Sequence, residues 1–571
     1  MKYSLIIQHL KGCGYSVSTA KVLDQETIEV SVSIDKFEVT LIHIKVNELT
    51  SMPSFLLKTP QKFPKLAHTL WSKDKNLATI CVNVPDSVSI NFEVPELVFE
   101  DSLKKHIELL TKCLSNSKWN KEELLREFLT SWNNINDVKY HHLICIPKSK
   151  DFQKMSIHSA KGKYGLAANP LAYPESLDTD KLTFFLQNQI NGRNKYKEPG
   201  CILPLTSIHS IPENSTELGS WFLEHLELID EETKSEFEQN FTQIRSNTFW
   251  IILNTDTPSG TSWFGLKFFH KSKKKTFPLN KDSIDEWSLE PVAIKLLDKD
   301  NLLLRGGALP TLLAKKILIV GCGSVGGYIA DQLASTGIGE MTLIDYDILS
   351  LDNIYRHYLE IDYLHNYKCD GLWYTLSSKY PWINITPARK NLLELRDESK
   401  LNSFDLIIIA IGSPTKERIF HDYCLKKGVE TAIINTWTEG YGIGGHAILD
   451  IPEQKGCLRC AYVDNKNLCR GLVSNLNFIK PNQDLTKNLS GCGNAFLPYS
   501  NLSAIQTANI TTDLALKYLQ GKILNSSKVS WKGCSIDVQK EHLVLTERYH
   551  AFSQSLLITP LLNSECDICN G

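Results

Sequence analysis

The segment Gly321–Gly327 reads GCGSVGG, and Asp345–His357 reads DYDILSLDNIYRH. Gly321, Gly323 and Gly326 form a G-x-G-x-x-G turn after the apolar run Lys316–Val320 (KILIV). Such a turn presents backbone N–H groups and a helix N-terminus to phosphate. Asp345 closes the next apolar run, Met341–Ile344, at the spacing of about 20 residues from which a carboxylate meets ribose hydroxyls. Taken alone, this pattern fits any dinucleotide dehydrogenase. Asn353, Arg356 and Lys368 point elsewhere. A bound dinucleotide has no leaving group, whereas a triphosphate attacked at its α-phosphorus needs cations to stabilise the departing pyrophosphate. Arg356 and Lys368 carry that charge, although either one alone would read as surface charge.

The cysteines suggest a second chemistry. There are 15, an odd number at scattered spacing, which argues for a reducing cytosol and against a secreted disulfide scaffold. Cys457-x-x-Cys460 and Cys566-x-x-Cys569 supply the four thiolates that structural Zn²⁺ prefers. Cys492, in SGCGNAF, precedes an expected helix at Asn501–Leu519. Flanking glycines and a helix N-terminus favour a nucleophilic thiol. A small buried hydrophobe is the competing reading. Cys469, on the same insertion, is the second candidate.

These residues need a scaffold, and the 571-residue chain has length for several domains. Apolar residues make up 42%, charged residues 22% and net charge is −2, so no global field recruits nucleic acid or an acidic membrane. The basic run Lys271–Lys275 reads as a solvated loop. No run reaches the roughly 18 apolar residues of a membrane span, and the N-terminus is too polar for a signal peptide.

Pattern divides the chain into three blocks. Residues 1–135 give a helix at Tyr3–Leu10, a hairpin of Thr27–Ile34 and Phe37–Val46 turning at Asp35–Lys36, an irregular passage from Pro53 to Val84, and two closing helices. The second of these carries Leu124, Leu125, Phe128 and Trp132 on one face, with capping-box spacing at Asn120 and Glu123. Residues 136–300 mix strand-like runs (His141–Ile146, Cys201–Leu205, Phe249–Leu253) with loops. Residues 301–571 alternate strands and helices, and the expected fold class is α/β.

The pattern D-x-D-x-x-x-x-x-N-x-x-R, after the glycine turn and before a lysine, resembles the adenylating domain of the ubiquitin-activating, ThiF and MoeB superfamily, over roughly 270 residues. The resemblance implies a Rossmann-like domain in which Asp345, Asn353, Arg356 and Lys368 bind ATP. It also implies adenylation of the C-terminal carboxylate of a small protein, and zinc at the paired CxxC units. In thioester-forming members a cysteine occupies the loop where Cys492 stands. Arg305, in LLLRGG, stands where members often place an arginine that reaches the ATP of a partner subunit, which implies a homodimer. One departure concerns Mg²⁺. The family has an acidic residue after a later strand, but here Asp405–Ile411 runs into Gly412-Ser413-Pro414, leaving Glu439 as a substitute.

The first block is similar to a ubiquitin-conjugating domain, whose thioester cysteine follows a proline- and histidine-containing loop. Cys81 stands there, after Pro64 and His68, although the usual Asn of the His-Pro-Asn segment is absent. A conjugating-type domain, a mixed α/β middle domain and an adenylating domain together resemble the bacterial fusion enzymes of CBASS anti-phage operons. The FLTSW segment at Phe128–Trp132 and Arg356-His357 support that resemblance. It implies ATP and Mg²⁺, a cytoplasmic enzyme, and a protein substrate presenting its C-terminus, either a ubiquitin-like protein or a cGAS-like nucleotidyltransferase. The acyl group would pass from Cys492 to Cys81 and then to an acceptor lysine, with no nucleic-acid or membrane partner. Sulfur-carrier activation of ThiF type and a non-enzymatic nucleotide-gated binding module are the alternatives.

Overall fold

The computed structural model describes the chain except residues 1–2, 23–24, 73–75, 83–89, 92, 136–140, 160–167, 179–181, 193–196, 242–245, 271–279, 465–468, 472, 489–494, 553–557, 567 and 570–571, and the side chains of 304–305, 469–470 and 495. The basic run at Lys271–Lys275 lies outside the described residues. Contacts divide the chain into two compact units, Met1–Leu177 with Arg193–Asp298, and Asp178–Gly192 with Lys299–Gly571.

The first unit contains a sheet and a barrel. The six-stranded sheet runs in the order Ser16–Val22, Gln25–Ile34, Phe37–Ile44, Leu56–Lys58, Leu77–Ile80, Thr69–Trp71, antiparallel throughout. The hairpin turns at Asp35 (φ 48°) and Lys36, as expected. The last three strands fall in the passage read from sequence as irregular. At three or four residues each they are too short to show alternation, and their pairing partners stabilise them. Ile6 and Leu10 of the helix Tyr3–Gly12, and Phe99, Leu103 and Leu110 of the helix Pro95–Ser115, pack on Ile28, Val30 and Leu41 of the sheet.

The helix expected to run unbroken to Trp132 divides at Glu127 into Ser117–Arg126 and Phe128–Trp132. The cap expected at Asn120 does not form. Asn116 caps instead, accepting from the Trp119 N–H at 3.0 Å. Asn120 is buried and serves as a surrogate peptide group: it accepts from the Ala67 N–H and donates to the Lys65 carbonyl, both at 2.8 Å. The loop that carries His68 is thereby fixed to this helix.

The middle of the chain closes into a seven-stranded barrel in the order Glu198–Pro204, Thr248–Thr257, Gly260–His270, Trp287–Leu296, His141–Cys145, Leu171–Pro174, Gln153–His158. Phe128 and Trp132 are fully buried against it. Both rings lie 4.7 Å from Phe264, and Trp132 is 5.1 Å from Trp221. The FLTSW turn is therefore an anchor between sheet and barrel.

The second unit is built on an eight-stranded sheet: Asn384–Ala388, Glu340–Ile344, Lys316–Val320, Leu406–Ile409, Ile433–Thr438, Gly444–Asp450, Ser527–Lys532, Ile558–Pro560. The first five are parallel and the rest antiparallel. Lys316–Val320 lacks alternation because both its faces are covered: Ile317 and Ile319 lie in one core, Leu318 and Val320 in another. The chain reverses its direction of strand addition between Lys316–Val320 and Leu406–Ile409, the switch point at which parallel α/β sheets open a crevice. The segment Asp178–Gly192 joins this unit through Phe184, whose ring is 4.6 Å from that of Trp373.

Trp132 also carries a buried indole N–H without a partner among the described residues. Trp132→Ala should lower the stability of the first unit by about 3–5 kcal/mol in urea unfolding. Trp132→Phe should cost clearly less, because it keeps the ring contact and removes the unpaired donor.

Candidate active site

A cleft of about 610 Å³ opens at the switch point, above the C-terminal ends of the parallel strands. Gly321 has φ +96°, and a Cβ there would lie 2.6 Å from the Ala410 carbonyl oxygen. Gly326 lets the helix Ser324–Ser335 start against the turn, since a Cβ would fall 1.8 Å from the Gly321 oxygen. Gly323 has nothing within 4 Å of a built Cβ and lines the cleft. The turn is thus packed tight on its inner side and open where a phosphate would lie.

Asp345 is buried, and its carboxylate accepts from the Cys322 N–H at 2.7 Å and the Asp347 N–H at 2.8 Å. Burial raises its pKa, and those two hydrogen bonds pull the other way. His357 meets the same turn from the other side. Its Nδ1 accepts from the Leu359 N–H at 3.0 Å, so Nε2 carries the proton and donates to the Cys322 carbonyl at 2.9 Å. Burial, with the nearby Lys368 and Arg356 charges, lowers its pKa to about 4, so the imidazole is neutral.

Lys368 opens the helix Lys368–Lys379 and is buried, with its ammonium 3.1 Å from Asp347 Oδ2. Arg356 closes the 3₁₀ turn Leu351–Arg356. Its guanidinium lies 5.0 Å above the Tyr499 ring and donates to the Leu497 carbonyl at 3.4 Å. The Tyr499 hydroxyl in turn pairs with Ser324 Oγ at 2.8 Å. Asn353 receives the Ser350 hydroxyl at 3.1 Å. Gly321, Gly323, Asp345, Asn353, Arg356 and Lys368 all line the cleft, and Gly326 supports it from beneath. Sequence reasoning missed Tyr499, Leu497 and Lys390, which line it too. Tyr499 and Leu497 lie more than 140 residues from Arg356, and no local pattern marks them.

Glu439 does not fit the role of the missing Mg²⁺ acid. Its oxygens accept from the Phe478 N–H at 2.6 Å, the Ile479 N–H at 3.0 Å and His446 Nε2 at 2.8 Å. That set makes it a brace. Glu417, in the first turn of the helix Pro414–Lys427, also lines the cleft. It accepts from the Ser413 N–H at 3.1 Å and the Asn435 amide at 3.0 Å. Burial pushes its pKa up to about 7. Asp347 is the most open of these carboxylates, with a side chain 52% exposed.

Cys81 is exposed, just past the strand Leu77–Ile80, and its N–H donates to the His68 carbonyl at 2.8 Å. His68 has φ 58° and is gripped by Glu127, which accepts from its backbone N–H at 2.7 Å and lies 2.6 Å from its Nδ1. Glu123 lies 3.4 Å from Nε2. The bond to Glu127, ahead of opposing burial, raises the imidazole pKa. Burial, then the Glu127 charge, raises that of the Cys81 thiol. Cys492 lies outside the described residues. Cys469 pairs with Asp464 in a two-residue ladder, and its side chain is likewise outside them, as is that of Arg305, whose backbone ends the helix Lys299–Arg305.

Cys457, Cys460, Cys566 and Cys569 converge, with all four sulfurs within 4.8 Å of one another. The Cys457–Cys566 and Cys460–Cys569 separations are 3.7 and 3.6 Å. Tetrahedral zinc with bonds near 2.3 Å sets sulfurs about 3.8 Å apart, so the cluster fits the ion. The hydrogen bond between Cys457 and Cys460 lowers the pKa of the Cys460 thiol and raises that of Cys457.

Residues 300–534 match the ThiF family. This part of the chain is a ThiF-type, Rossmann-like adenylating domain, and the N-terminal sheet with its flanking helices is a ubiquitin-conjugating-like domain. The chain is similar to the ATP-dependent ubiquitin transferase-like protein Cap2 of Pseudomonas aeruginosa (strain BWHPSA011 / Pa011), 26% identical over 48% of this chain and 49% of that protein. It is 25% identical to the Cap2 of Escherichia coli (strain TW11681), over 52% of this chain and 51% of that one. The chain thus spans about half the length of these curated relatives. Among solved structures, E. coli MccB with MccA-N7isoASN overlaps 46% of this chain and 68% of its own, at 17% identity and a TM-score of 0.32, too loose a likeness to bear on chemistry. No helix among the described residues is long and apolar enough to cross a membrane.

Two measurements test the site. Glu417 has a folded pKa above its unfolded value of 4.5. Its contribution to stability is therefore full below about pH 4.5 and lost as pH rises towards 7, a difference of about 3 kcal/mol. Glu417→Gln should flatten that part of the pH–stability curve and be the more stable protein at pH 8, read by urea midpoints at pH 5 and 8. For the cysteine cluster, Cys457→Ser or Cys566→Ser should lose one zinc per chain by elemental analysis and become sensitive to C-terminal proteolysis.

Proposed function

We propose that the chain activates the C-terminal carboxylate of a protein with ATP and passes the acyl group through two cysteines to an amine. The observation that carries this reading is the convergence of Arg356 and Lys368 on one glycine-lined cleft, beside the buried Asp345 carboxylate. Gly323 and the start of the helix Ser324–Ser335 would receive phosphate, Asp345 the ribose and Asn353 the nucleotide's polar edge. Asp347, half open to solvent, is the residue that would hold Mg²⁺, which prefers few protein ligands and would neutralise phosphate charge.

The substrate carboxylate attacks the α-phosphorus, and the bond from that phosphorus to the bridging oxygen breaks. Pyrophosphate leaves, and Arg356 and Lys368 stabilise the charge it gains. The Cys492 thiolate, with Cys469 as the other candidate, then attacks the acyl carbon and AMP departs. Thiol exchange carries the acyl group to Cys81. A lysine amine displaces that sulfur, forming the amide, regenerating the thiol and giving up a proton. The raised Cys81 pKa keeps this sulfur protonated at neutral pH, so exchange onto it quickens as pH rises. A homodimer with Arg305 acting in trans would shield the adenylate from water. The likeness to ATP-dependent ubiquitin transferase-like proteins supports a protein substrate; a ubiquitin-like or cGAS-like protein, in CBASS defence, is the substrate that the sequence resemblance implies.

Pyrophosphate exchange into ATP, dependent on the protein substrate, tests the first step. Arg356→Ala and Lys368→Ala should each lower it by about 10²-fold with the fold intact. Exchange at the wild-type rate in both variants would overturn the reading. Cys81→Ala should keep exchange and abolish amide product; full product from this variant would favour sulfur-carrier activation instead.

A further inference from the structure

The helix Tyr3–Gly12 ends beside a cluster that the proposed chemistry does not use. His9 and Cys13 are one turn apart, and the Cys13 N–H donates to the His9 carbonyl at 3.0 Å, which carries the helical bonding one residue on. Both side chains therefore share a face. Glu100, from the helix Pro95–Ser115, meets them there. His9 Nε2 lies 2.7 Å from Glu100 Oε2, and Cys13 Sγ lies 3.7 Å from the same nitrogen. The three ligand atoms all fall within 4.8 Å of one another.

We propose that His9, Cys13 and Glu100 form a Zn²⁺ site, separate from the four-cysteine cluster, which staples the N-terminal helix to the long helix behind it. Nitrogen, thiolate sulfur and carboxylate oxygen are the donors this ion takes. Bonds of about 2.0–2.3 Å at tetrahedral angles set neighbouring donors about 3.3–3.8 Å apart. The sulfur–nitrogen separation already matches. The nitrogen–oxygen contact, now 2.7 Å, opens by about 0.6 Å as one hydrogen bond gives way to two coordinate bonds. Lys104 holds the other Glu100 oxygen at 2.6 Å, which orients the carboxylate and leaves Oε2 for the ion. A histidine–glutamate hydrogen bond alone would need no sulfur aimed at the same imidazole nitrogen.

The proton balance is simple. The imidazole proton moves to Nδ1 and frees Nε2. The Cys13 thiol gives its proton to solvent, and thiolate and carboxylate neutralise the dication. Glu100 is paired with the Lys104 ammonium at 2.6 Å, which favours its carboxylate form. His9 is about a quarter exposed and Cys13 is exposed, so the ion has access. The fourth position is left for water.

Equilibrium dialysis of the chelator-stripped full chain against buffered zinc, with elemental analysis, tests this. The wild type should bind two equivalents. Cys13→Ser and His9→Gln should each bind one, with metal-free circular dichroism unchanged; His9→Gln keeps a hydrogen bond to Glu100. Cys457→Ser should also bind one, and Co²⁺ in that variant should show the charge-transfer band of a single thiolate. One equivalent in the wild type, or two in both Cys13→Ser and His9→Gln, would overturn the proposal.

Discussion

The peptide groups of Cys322 are the point on which the cleft depends. Its N–H is taken by the Asp345 carboxylate and its carbonyl by the His357 imidazole. Both side chains come from the segment after the second parallel strand, so that segment clamps the glycine turn from two sides. A buried turn would otherwise leave a donor and an acceptor unpaired, at a cost of about 1–3 kcal/mol each. The clamp explains why a histidine follows Arg356. It is held neutral in a single tautomer and works as a brace.

Once the turn is fixed, the cations take their places with little freedom. Lys368 leaves its helix N-terminus buried beside Asp347, and Arg356 is stacked on Tyr499, itself tied to Ser324 at the start of the glycine-turn helix. Charges held this way need little reorganisation when a phosphoryl group develops charge, and in a partly buried cleft they act more strongly than in water. Two of the other acids that line the cleft are already engaged. Glu439 is spent on two backbone amides and His446, and Glu417 bridges Ser413 and Asn435.

The environment of Cys81 follows a different logic. Glu127 is committed to His68 at both backbone and ring, and Asn120 pins the preceding residues through Ala67 and Lys65. The result is a rigid loop next to an exposed thiol that its surroundings keep protonated. A thiol held protonated is a poor spontaneous nucleophile and resists oxidation and adventitious alkylation. Rigidity here comes from a helix break at Glu127 that lets the carboxylate turn back toward the loop.

The sequence by itself determined whatever depends on local spacing. Glycine spacing and the acid about 20 residues on marked the turn and Asp345, the unbroken apolar run at Lys316–Val320 marked a strand buried on both faces, and CxxC units marked thiolate pairs. It could not show the closed barrel, whose strands pair across long intervals, nor the short strands between Leu56 and Ile80, which exist only through their neighbours. It placed a cap at Asn120 where the fold uses that amide to hold a distant loop, and it offered Glu439 as a metal ligand when strands and a loop had already saturated its oxygens. Tyr499 under Arg356, and Cys13 beside His9 and Glu100, became visible only once helices were packed. The physical reason is common to all of these. Periodicity and spacing encode what a backbone does within a turn or two, whereas burial and the competition for hydrogen bonds are settled by groups that arrive from elsewhere in the chain.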